Sequence, residues 1–164
     1  MRSVADVFKS LPVVQVVHRS ETLPATAHAH DRQTITLGWE DRLRVRARRT
    51  TDSGVSFATA LPRGTVLRAD DALVVDALRL VVVVVELAEP VLVICPATPE
   101  EWGLVGYFVG NSHQPMMVAP DGILVPDLLG MSQVLDFHQV PFVRAERPFT
   151  PIAQVPSHRH PVGT

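Results

Sequence analysis

A helix is predicted to end, and a histidine to be exposed, within the stretch Tyr107-Phe108-Val109-Gly110-Asn111-Ser112-His113-Gln114-Pro115. Gly110 can adopt the left-handed conformation that commonly follows a helix, so the helix is expected to end at Val109. Pro115 restricts the preceding Gln114 to extended geometry. His113 is therefore predicted to lie on a short connection between a helix and a strand, where its imidazole can reach a ligand.

The start of the same helix is marked by the segment Thr98-Pro99-Glu100-Glu101. Thr98 is a favoured N-cap residue, and Pro99 suits the first helical position. Glu101 at the third helical position completes the pattern of a capping box. These residues and the apolar run that follows predict a helix over residues 99–109.

Residues beyond Pro90 alternate between strand and helix patterns. Strands are predicted at 91–95, 115–118, 123–125 and 142–146, and helices at 99–109 and 128–137. This βαββαβ order is typical of a ferredoxin-like unit, with two helices on one face of an antiparallel sheet. Asp121-Gly122 is expected to form the central hairpin turn, and Asp127 is expected to cap the second helix.

Residues before Pro90 show short strand patterns separated by turn residues. A first strand is predicted at 13–17, a loop at 20–31, and strands throughout residues 34–85. Asp52-Ser53-Gly54 and Pro62-Arg63-Gly64 predict turns between strands. The regular spacing of the turns predicts a compact all-β domain of about six short strands.

Two of these strand patterns have unusual compositions. Apolar residues at 43, 45 and 47 alternate with Arg42, Arg44, Arg46 and Arg48, which predicts one apolar and one basic face. A basic face suits an anionic partner, although a solvated outer face opposite acidic neighbours is the favoured interpretation. The valines at 81–85 form a run far shorter than the about 20 residues that span a bilayer. They predict a strand that is buried on both faces.

The change of pattern near residues 86–90 predicts an α+β chain with a domain boundary at this connection. The expected parts are a small N-terminal β domain (1–86), a ferredoxin-like domain (87–152) and a flexible His-containing tail (153–164). Prolines and polar residues dominate the tail, which favours an irregular conformation.

Composition narrows the class of protein. The 164 residues are 46% hydrophobic, which supplies an ample core, and the formal net charge of −2 argues against general capture of nucleic acid or acidic membranes. The one cysteine, Cys95, excludes an intramolecular disulfide and a Cys-cluster metal site, and its apolar neighbours predict a buried thiol. Asp6 and Lys9 interrupt the apolar residues near the start, so no signal peptide is expected and a cytoplasmic location is predicted.

Further histidines occur in two His-x-His pairs, His28 with His30 and His158 with His160. Side chains two residues apart point the same way from an extended chain, so such a pair can chelate a metal. Solvated side chains are the favoured interpretation for the first pair, with a secondary metal site as the alternative. His138 is expected to end the second helix as a polar cap, with metal ligation as the alternative.

The His113 stretch, together with Leu61-Pro62-Arg63-Gly64-Thr65-Val66-Leu67-Arg68, resembles the UreE family of urease accessory nickel chaperones. Members of that family carry a Gly-Asn-Arg-His-x-Pro segment in their metal-binding domain, and Ser112 stands here where the family usually has Arg. The resemblance covers roughly residues 34–151 in one consistent order. It implies a ferredoxin-like metal-binding domain and an N-terminal domain of the peptide- or partner-binding type.

The resemblance also implies a nickel-binding metallochaperone that delivers Ni(II) to apo-urease, and not an enzyme. One Ni(II) ion, carried as cargo, would lie between the subunits of a homodimer, because a two-fold axis can bring the two His113 side chains together. His158 and His160 would be additional tail ligands, with a simple polar terminus as the alternative, and Cu(II) or Zn(II) would bind in vitro. The implied partners are the urease apoprotein and its accessory GTPase complex, with no nucleic acid and no membrane.

The sequence departs from the family pattern in two places. The Asp-His pair common at the second helix is here Asp127-Leu128, and no Gly-Ala-Tyr segment follows the last strand. Motifs of hydrolases, P-loop proteins, zinc proteases and dinucleotide-binding enzymes are absent from the sequence. The alternative hypothesis is therefore a protein-interaction module that keeps the family fold and has lost or weakened its nickel traffic.

Overall fold

The computed structural model describes residues 11–128 and 130–152. The chain divides into two compact units, Met1–Ala88 and Glu89–Thr164, called here the N-terminal and C-terminal units. Strands predominate and helices are few, so the predicted α+β class is confirmed.

The described part of the N-terminal unit contains six strands and one short α-helix. They are β1 (Val13–Val14), β2 (Asp31–Leu37), α1 (Trp39–Leu43), β3 (Arg46–Thr50), β4 (Ser56–Ala60), β5 (Ala72–Val75) and β6 (Leu80–Glu86). The strand predicted at 13–17 is confined to its first two residues, and the loop predicted at 20–31 contains two 3-10 turns, Ser20–Thr22 and Ala25–Ala29. The prediction of strands throughout 34–85 is wrong at α1.

The six strands form two three-stranded sheets, in the orders β1-β4-β3 and β2-β6-β5. The antiparallel β3–β4 hairpin turns at the predicted Asp52-Ser53-Gly54 segment, where Gly54 adopts a φ of 91°. In the other sheet, β6 is central, parallel to β2 and antiparallel to β5. Val82 and Val84 enter the main apolar cluster, while Val81 enters a second cluster. The valine strand is therefore buried on both faces at its start, as predicted, whereas Val85 near its end is exposed.

The predicted row of four arginines on one strand face does not form. Arg42 belongs to α1 and is only 1% exposed. Its guanidinium donates to Glu86 Oε1 at 3.0 Å and to the Leu67 carbonyl oxygen at 3.2 Å. Of the four arginines, only Arg46 and Arg48 lie in β3, both at exposed positions. The alternation fails because α1 precedes β3 and turns Arg42 into the interior, where a partner 44 residues away accepts its hydrogen bond.

Arg49, which was not part of the predicted row, is also buried. Its side chain donates to the carbonyl oxygens of Asp41 and Arg44 at 3.0 Å and 2.7 Å. Burial lowers the pKa of this guanidinium from its usual value. These bonds connect the end of α1 to strand β3, so Arg49, like Arg42, stabilises the fold.

The C-terminal unit has the predicted order βαββαβ. Its elements are β7 (Ala88–Ile94), α2 (Pro99–Asn111), β8 (Met117–Ala119), β9 (Gly122–Pro126), α3 (Met131–Phe137) and β10 (Val143–Pro148). The sheet order is β10-β7-β9-β8, with β9 antiparallel to both β7 and β8. Both helices pack on one sheet face through a single apolar cluster formed by Leu92, Ile94, Ile123, Val125, Val105, Val109, Met131 and Leu135.

Several boundaries differ from the predictions for this unit. The connection predicted at 86–90 is largely strand, because β6 ends at Glu86 and β7 begins at Ala88. The second helix begins at Met131 because Gly130 takes a left-handed N-cap conformation with a φ of 98°. Asp127 therefore does not cap it and instead accepts a hydrogen bond from Arg144 Nε at 2.9 Å.

The predicted hairpin between β8 and β9 forms, with its turn one residue earlier than Asp121-Gly122. Ala119 pairs with Gly122, so the turn is made by the two residues between them. Gly122 has a φ of 149°, and a Cβ atom at this position would collide with the Ile94 carbonyl oxygen. This turn therefore requires glycine for both conformation and space.

The prediction that Cys95 is buried is wrong, because its side chain is exposed. The ladder between β7 and β9 ends with the pairing of Ile94 and Ile123. Cys95 is the next residue and opens the connection to α2, so it leaves the buried run that suggested an internal thiol.

Candidate metal centre

Helix α2 begins as its sequence predicts. Thr98 is the N-cap residue, and its hydroxyl accepts a hydrogen bond from the Glu101 amide at 3.2 Å. The Glu101 carboxylate accepts from the Ala97 amide at 2.6 Å, one residue before the position expected for a capping box. The first half of the capping box is thus confirmed, and the second half is displaced by one residue.

Helix α2 ends later than predicted, at Asn111. Gly110 lies inside the helix, so the prediction that it adopts the left-handed conformation is wrong. His113 takes that conformation instead, with a φ of 53°. Its amide donates to the Gly110 carbonyl oxygen at 3.0 Å, and the Gln114 amide donates to the Val109 carbonyl oxygen at 3.4 Å. This pair of bonds is a Schellman motif, in which a histidine occupies the position that glycine usually fills.

Ser112 is the C-cap residue between the helix and His113. Its hydroxyl donates to the Phe108 carbonyl oxygen at 2.8 Å. Its amide is shared between the carbonyl oxygens of Phe108 and Val109, at 3.1 Å and 3.2 Å. The hydrogen bond of the Ser112 side chain was not predicted from the sequence. A signal for it exists, because a serine hydroxyl in a helix can bond to the carbonyl oxygen four residues earlier.

The side chain of His113 is exposed, as predicted. The next residues lead into β8, and the end of the described chain lies beside them. The Ile152 amide donates to the Met116 carbonyl oxygen at 2.7 Å, and the Thr150 amide donates to Met117 Sδ at 3.3 Å. The segment that follows His113 therefore also anchors the point from which residues 153–164 continue.

An aromatic group joins the two helices of this unit. The rings of Phe108 and His138 stack with centroids 3.8 Å apart and planes 9° apart. Tyr107 and Phe137 pack edge-on against this pair and are 65% and 82% exposed. The group leaves an exposed aromatic surface on α2 and α3.

His138 has the structural role that was favoured for it. It is the C-cap residue of α3, and its amide donates to the Val134 carbonyl oxygen at 3.1 Å. Its ring also lines a cavity of about 270 Å³, whose other lining residues include Cys95, Glu101 and Leu104. The cavity brings a thiol, a carboxylate and an imidazole to one side of α2.

The remaining histidines do not join His113 in the described structure. His28 lies on a 3-10 turn and His30 follows its end, so the extended geometry assumed for this pair is wrong. His30 Nδ1 is buried and has no hydrogen-bond partner among the described residues. His158 and His160 lie outside the described residues. Within residues 11–128 and 130–152, no three His, Cys, Asp or Glu side chains are grouped to hold a metal ion.

These features define a small α+β protein that presents a histidine on the turn after its longest described helix. A family model described as the N-terminal domain of UreE urease accessory protein matches residues 13–86. The urease accessory protein UreE of Verminephrobacter eiseniae is 35% identical over 124 residues, which cover 72% of each chain. The chain belongs to the UreE family of urease accessory proteins, as its resemblance implied. It is a family of accessory proteins and not of enzymes.

Two other relatives of the same name match shorter parts of their own sequences. The protein of Burkholderia vietnamiensis is 34% identical over 116 residues, which cover 66% of this chain and 58% of the relative. The protein of Paraburkholderia xenovorans is 41% identical over 88 residues, covering 54% and 39%. The chain thus spans about half the length of such relatives. None of the described helices has the length and apolar character needed to cross a membrane.

Proposed function

We propose that this protein binds Ni(II) as cargo and delivers it to apo-urease during assembly of the urease metallocentre. The observation that carries the proposal is the exposed His113 on the left-handed turn at the end of α2, in a member of the UreE family. Imidazole nitrogen is a suitable ligand for nickel, and an exposed ion can be passed to another protein.

The proposed site takes its ligands from two subunits. One exposed imidazole cannot hold Ni(II) tightly, and the described residues of one chain offer no group of three donors. A two-fold axis near the end of α2 would bring two copies of His113 to one ion. The exposed rings of Tyr107 and Phe137 on the same unit give such a homodimer an apolar surface to bury.

The tail is proposed to supply additional ligands. Ile152, the last described residue before the tail, is hydrogen-bonded to Met116. Met116 follows His113 by three residues, so the tail starts close to the proposed ligand. His158 follows Ile152 by six residues, and six extended residues span at most about 20 Å. His158 and His160 are therefore tethered near enough to complete the ligand set.

The domain roles follow the same proposal. The sheet order of the C-terminal unit, with two helices on one face, supports a ferredoxin-like metal-binding domain at 87–152. Residues 1–86 act as the partner-binding domain, and residues 153–164 as the tail. The partners are apo-urease and its accessory GTPase complex, and these partners imply a cytoplasmic location.

Cu(II) and Zn(II) bind in vitro because a sparse imidazole site offers little geometric selectivity.

Titration calorimetry with nickel tests the site directly. The wild-type protein is expected to bind one ion per dimer, and His113→Ala to lower the affinity at least about tenfold. His28→Ala is the matched control, because it removes an exposed imidazole from the other unit and should leave affinity unchanged. Unchanged stoichiometry and affinity in His113→Ala would refute the proposal. Loss only on truncation before Ser157 would move the site to His158 and His160.

The alternative is a protein-interaction module with weakened nickel traffic. Leu128 favours it, because this residue replaces the histidine of the family's Asp-His pair and is an exposed leucine that can contact a partner. Such a module would dimerise without binding nickel, and its deletion would leave urease activation unchanged. A urease-activation assay in the source cell, with the gene deleted and then restored, distinguishes the two functions.

A further inference from the structure

The turn that carries His113 is held by more bonds than the two of a Schellman motif. The Ser112 hydroxyl adds a third bond, to the Phe108 carbonyl oxygen at 2.8 Å. The ring of Phe108 is itself stacked on His138 at the end of α3. The backbone that precedes His113 is thereby tied both to its own helix and to the neighbouring helix.

The residue at this turn is not the one that the backbone favours. A φ of 53° is adopted easily by glycine and less easily by residues with a Cβ atom, although histidine is among the more tolerant of these. Gly110 lies only three residues earlier and is left in the helix. A glycine at position 113 would therefore end α2 at lower free energy than the histidine does.

We propose that the end of α2 holds the metal ligand in a preorganised backbone conformation. Ser112 is the positioning residue for His113. Histidine at the left-handed position lowers folding stability relative to glycine, and in return it places an imidazole there. The inference rests on the proposed function, in which His113 binds the ion. A ligand whose backbone is already fixed loses less conformational entropy on binding. The hydrogen bond of Ser112 therefore raises the affinity for nickel although Ser112 does not contact the metal.

The end of α3 provides a matched control within the same unit. The Gln139 amide donates to the Asp136 carbonyl oxygen at 3.0 Å, and the Val140 amide donates to the Leu135 carbonyl oxygen at 2.9 Å. Gln139 has a φ of 56°, so this is a second Schellman motif with a side chain at the left-handed position. It carries no ligand in the proposed function.

The first experiment replaces each left-handed residue by glycine. Metal-free His113→Gly and Gln139→Gly are both expected to unfold at a temperature about 2–4 °C higher than the wild type, because glycine relieves the same strain. Only His113→Gly should lose nickel affinity in titration calorimetry. A melting temperature that stays unchanged or falls in His113→Gly would overturn the claim that stability is given up at this position.

The second experiment tests Ser112 separately from the ligand. Ser112→Ala is expected to lower nickel affinity about three- to tenfold with the stoichiometry unchanged, and Ser112→Thr, which keeps the hydroxyl, should restore it. If Ser112→Ala lowers only the melting temperature, Ser112 is merely structural and the positioning claim fails. That result leaves the proposed function intact as long as His113→Gly loses binding, whereas full binding by His113→Gly overturns the proposed function itself.

Discussion

Helices α2 and α3 end in the same backbone motif but use their exposed histidines differently. At the end of α2, the histidine occupies the left-handed position itself and is exposed. At the end of α3, His138 lies one residue earlier, at the C-cap, and its ring stacks on Phe108. A shift of one residue along the same motif thus separates the imidazole that is proposed to bind the ion from one that is stacked on an aromatic ring.

The two helices also begin differently. Helix α2 has a threonine cap and a proline at its first position, whereas α3 starts from Gly130 without a side-chain cap. Local hydrogen bonds define both ends of α2, whereas α3 has a comparable motif only at its end. The helix proposed to carry the metal ligand is therefore the one that is capped at both ends, which suits a ligand that must be held in place.

The comparison of the two histidines predicts opposite results for two alanine variants. His113→Ala should lower nickel affinity at least about tenfold and leave folding stability nearly unchanged. His138→Ala should leave nickel affinity unchanged and lower the free energy of unfolding by about 1 kcal/mol, because it removes the stacked pair with Phe108. Calorimetric titration and urea unfolding measure the two effects. A comparable loss of nickel affinity in His138→Ala would make His138 a ligand and end the distinction.

The comparison of the helix starts predicts a smaller difference. Thr98→Ala should lower the free energy of unfolding by about 1 kcal/mol, because the Glu101 amide loses its acceptor. Asp127→Ala should cost less than about 1 kcal/mol, and its effect should shrink in high salt, because Asp127 forms only a partly exposed ion pair with Arg144. Urea unfolding at low and high salt checks both values. A salt-independent loss in Asp127→Ala equal to that of Thr98→Ala would mean that Asp127 does cap α3.

The smallest expected effect separates acid unfolding from loss of the ligand. A hydrogen bond from the Thr34 hydroxyl, followed by the Thr36 amide, holds the pKa of Asp52 below its usual value. Because the folded pKa is the lower one, this stabilisation is present above the ordinary carboxyl pKa of about 3.9 and is lost as pH falls through the folded pKa. As pH falls, nickel binding should weaken before this stabilisation is lost, because a protonated imidazole cannot bind a metal and imidazoles take up protons at higher pH than carboxylates do.

Urea midpoints measured between pH 2 and pH 6 check this prediction for wild type and Asp52→Asn. The wild-type midpoint should fall more steeply than that of the variant on the acid side of this range. Parallel curves would show that Asp52 does not contribute. Nickel titrations over the same and higher pH values then show whether the ligand is lost while the N-terminal unit is still folded.

Local sequence signals predicted most elements of the fold correctly. The order βαββαβ, the hairpin at Gly54 and the largely buried valine strand are encoded by periodicity and turn residues over fewer than about ten positions. The exposed position of His113 was predicted for a partly incorrect reason. Gly110 permits a helix end but does not force one, and the helix continues until the bonds of residues 113 and 114 close it.

The sequence by itself determined the succession of strands and helices, the start of α2 at Thr98 and the presence of an exposed histidine after that helix. Only the tertiary structure decided that Arg42 is buried against Glu86, that Cys95 is exposed and that Asp127 pairs with Arg144 instead of capping α3. The physical reason is the distance along the chain over which each kind of interaction acts. Periodicity and turn chemistry act between near neighbours, whereas the partner of a charged side chain is chosen among residues that only folding brings together.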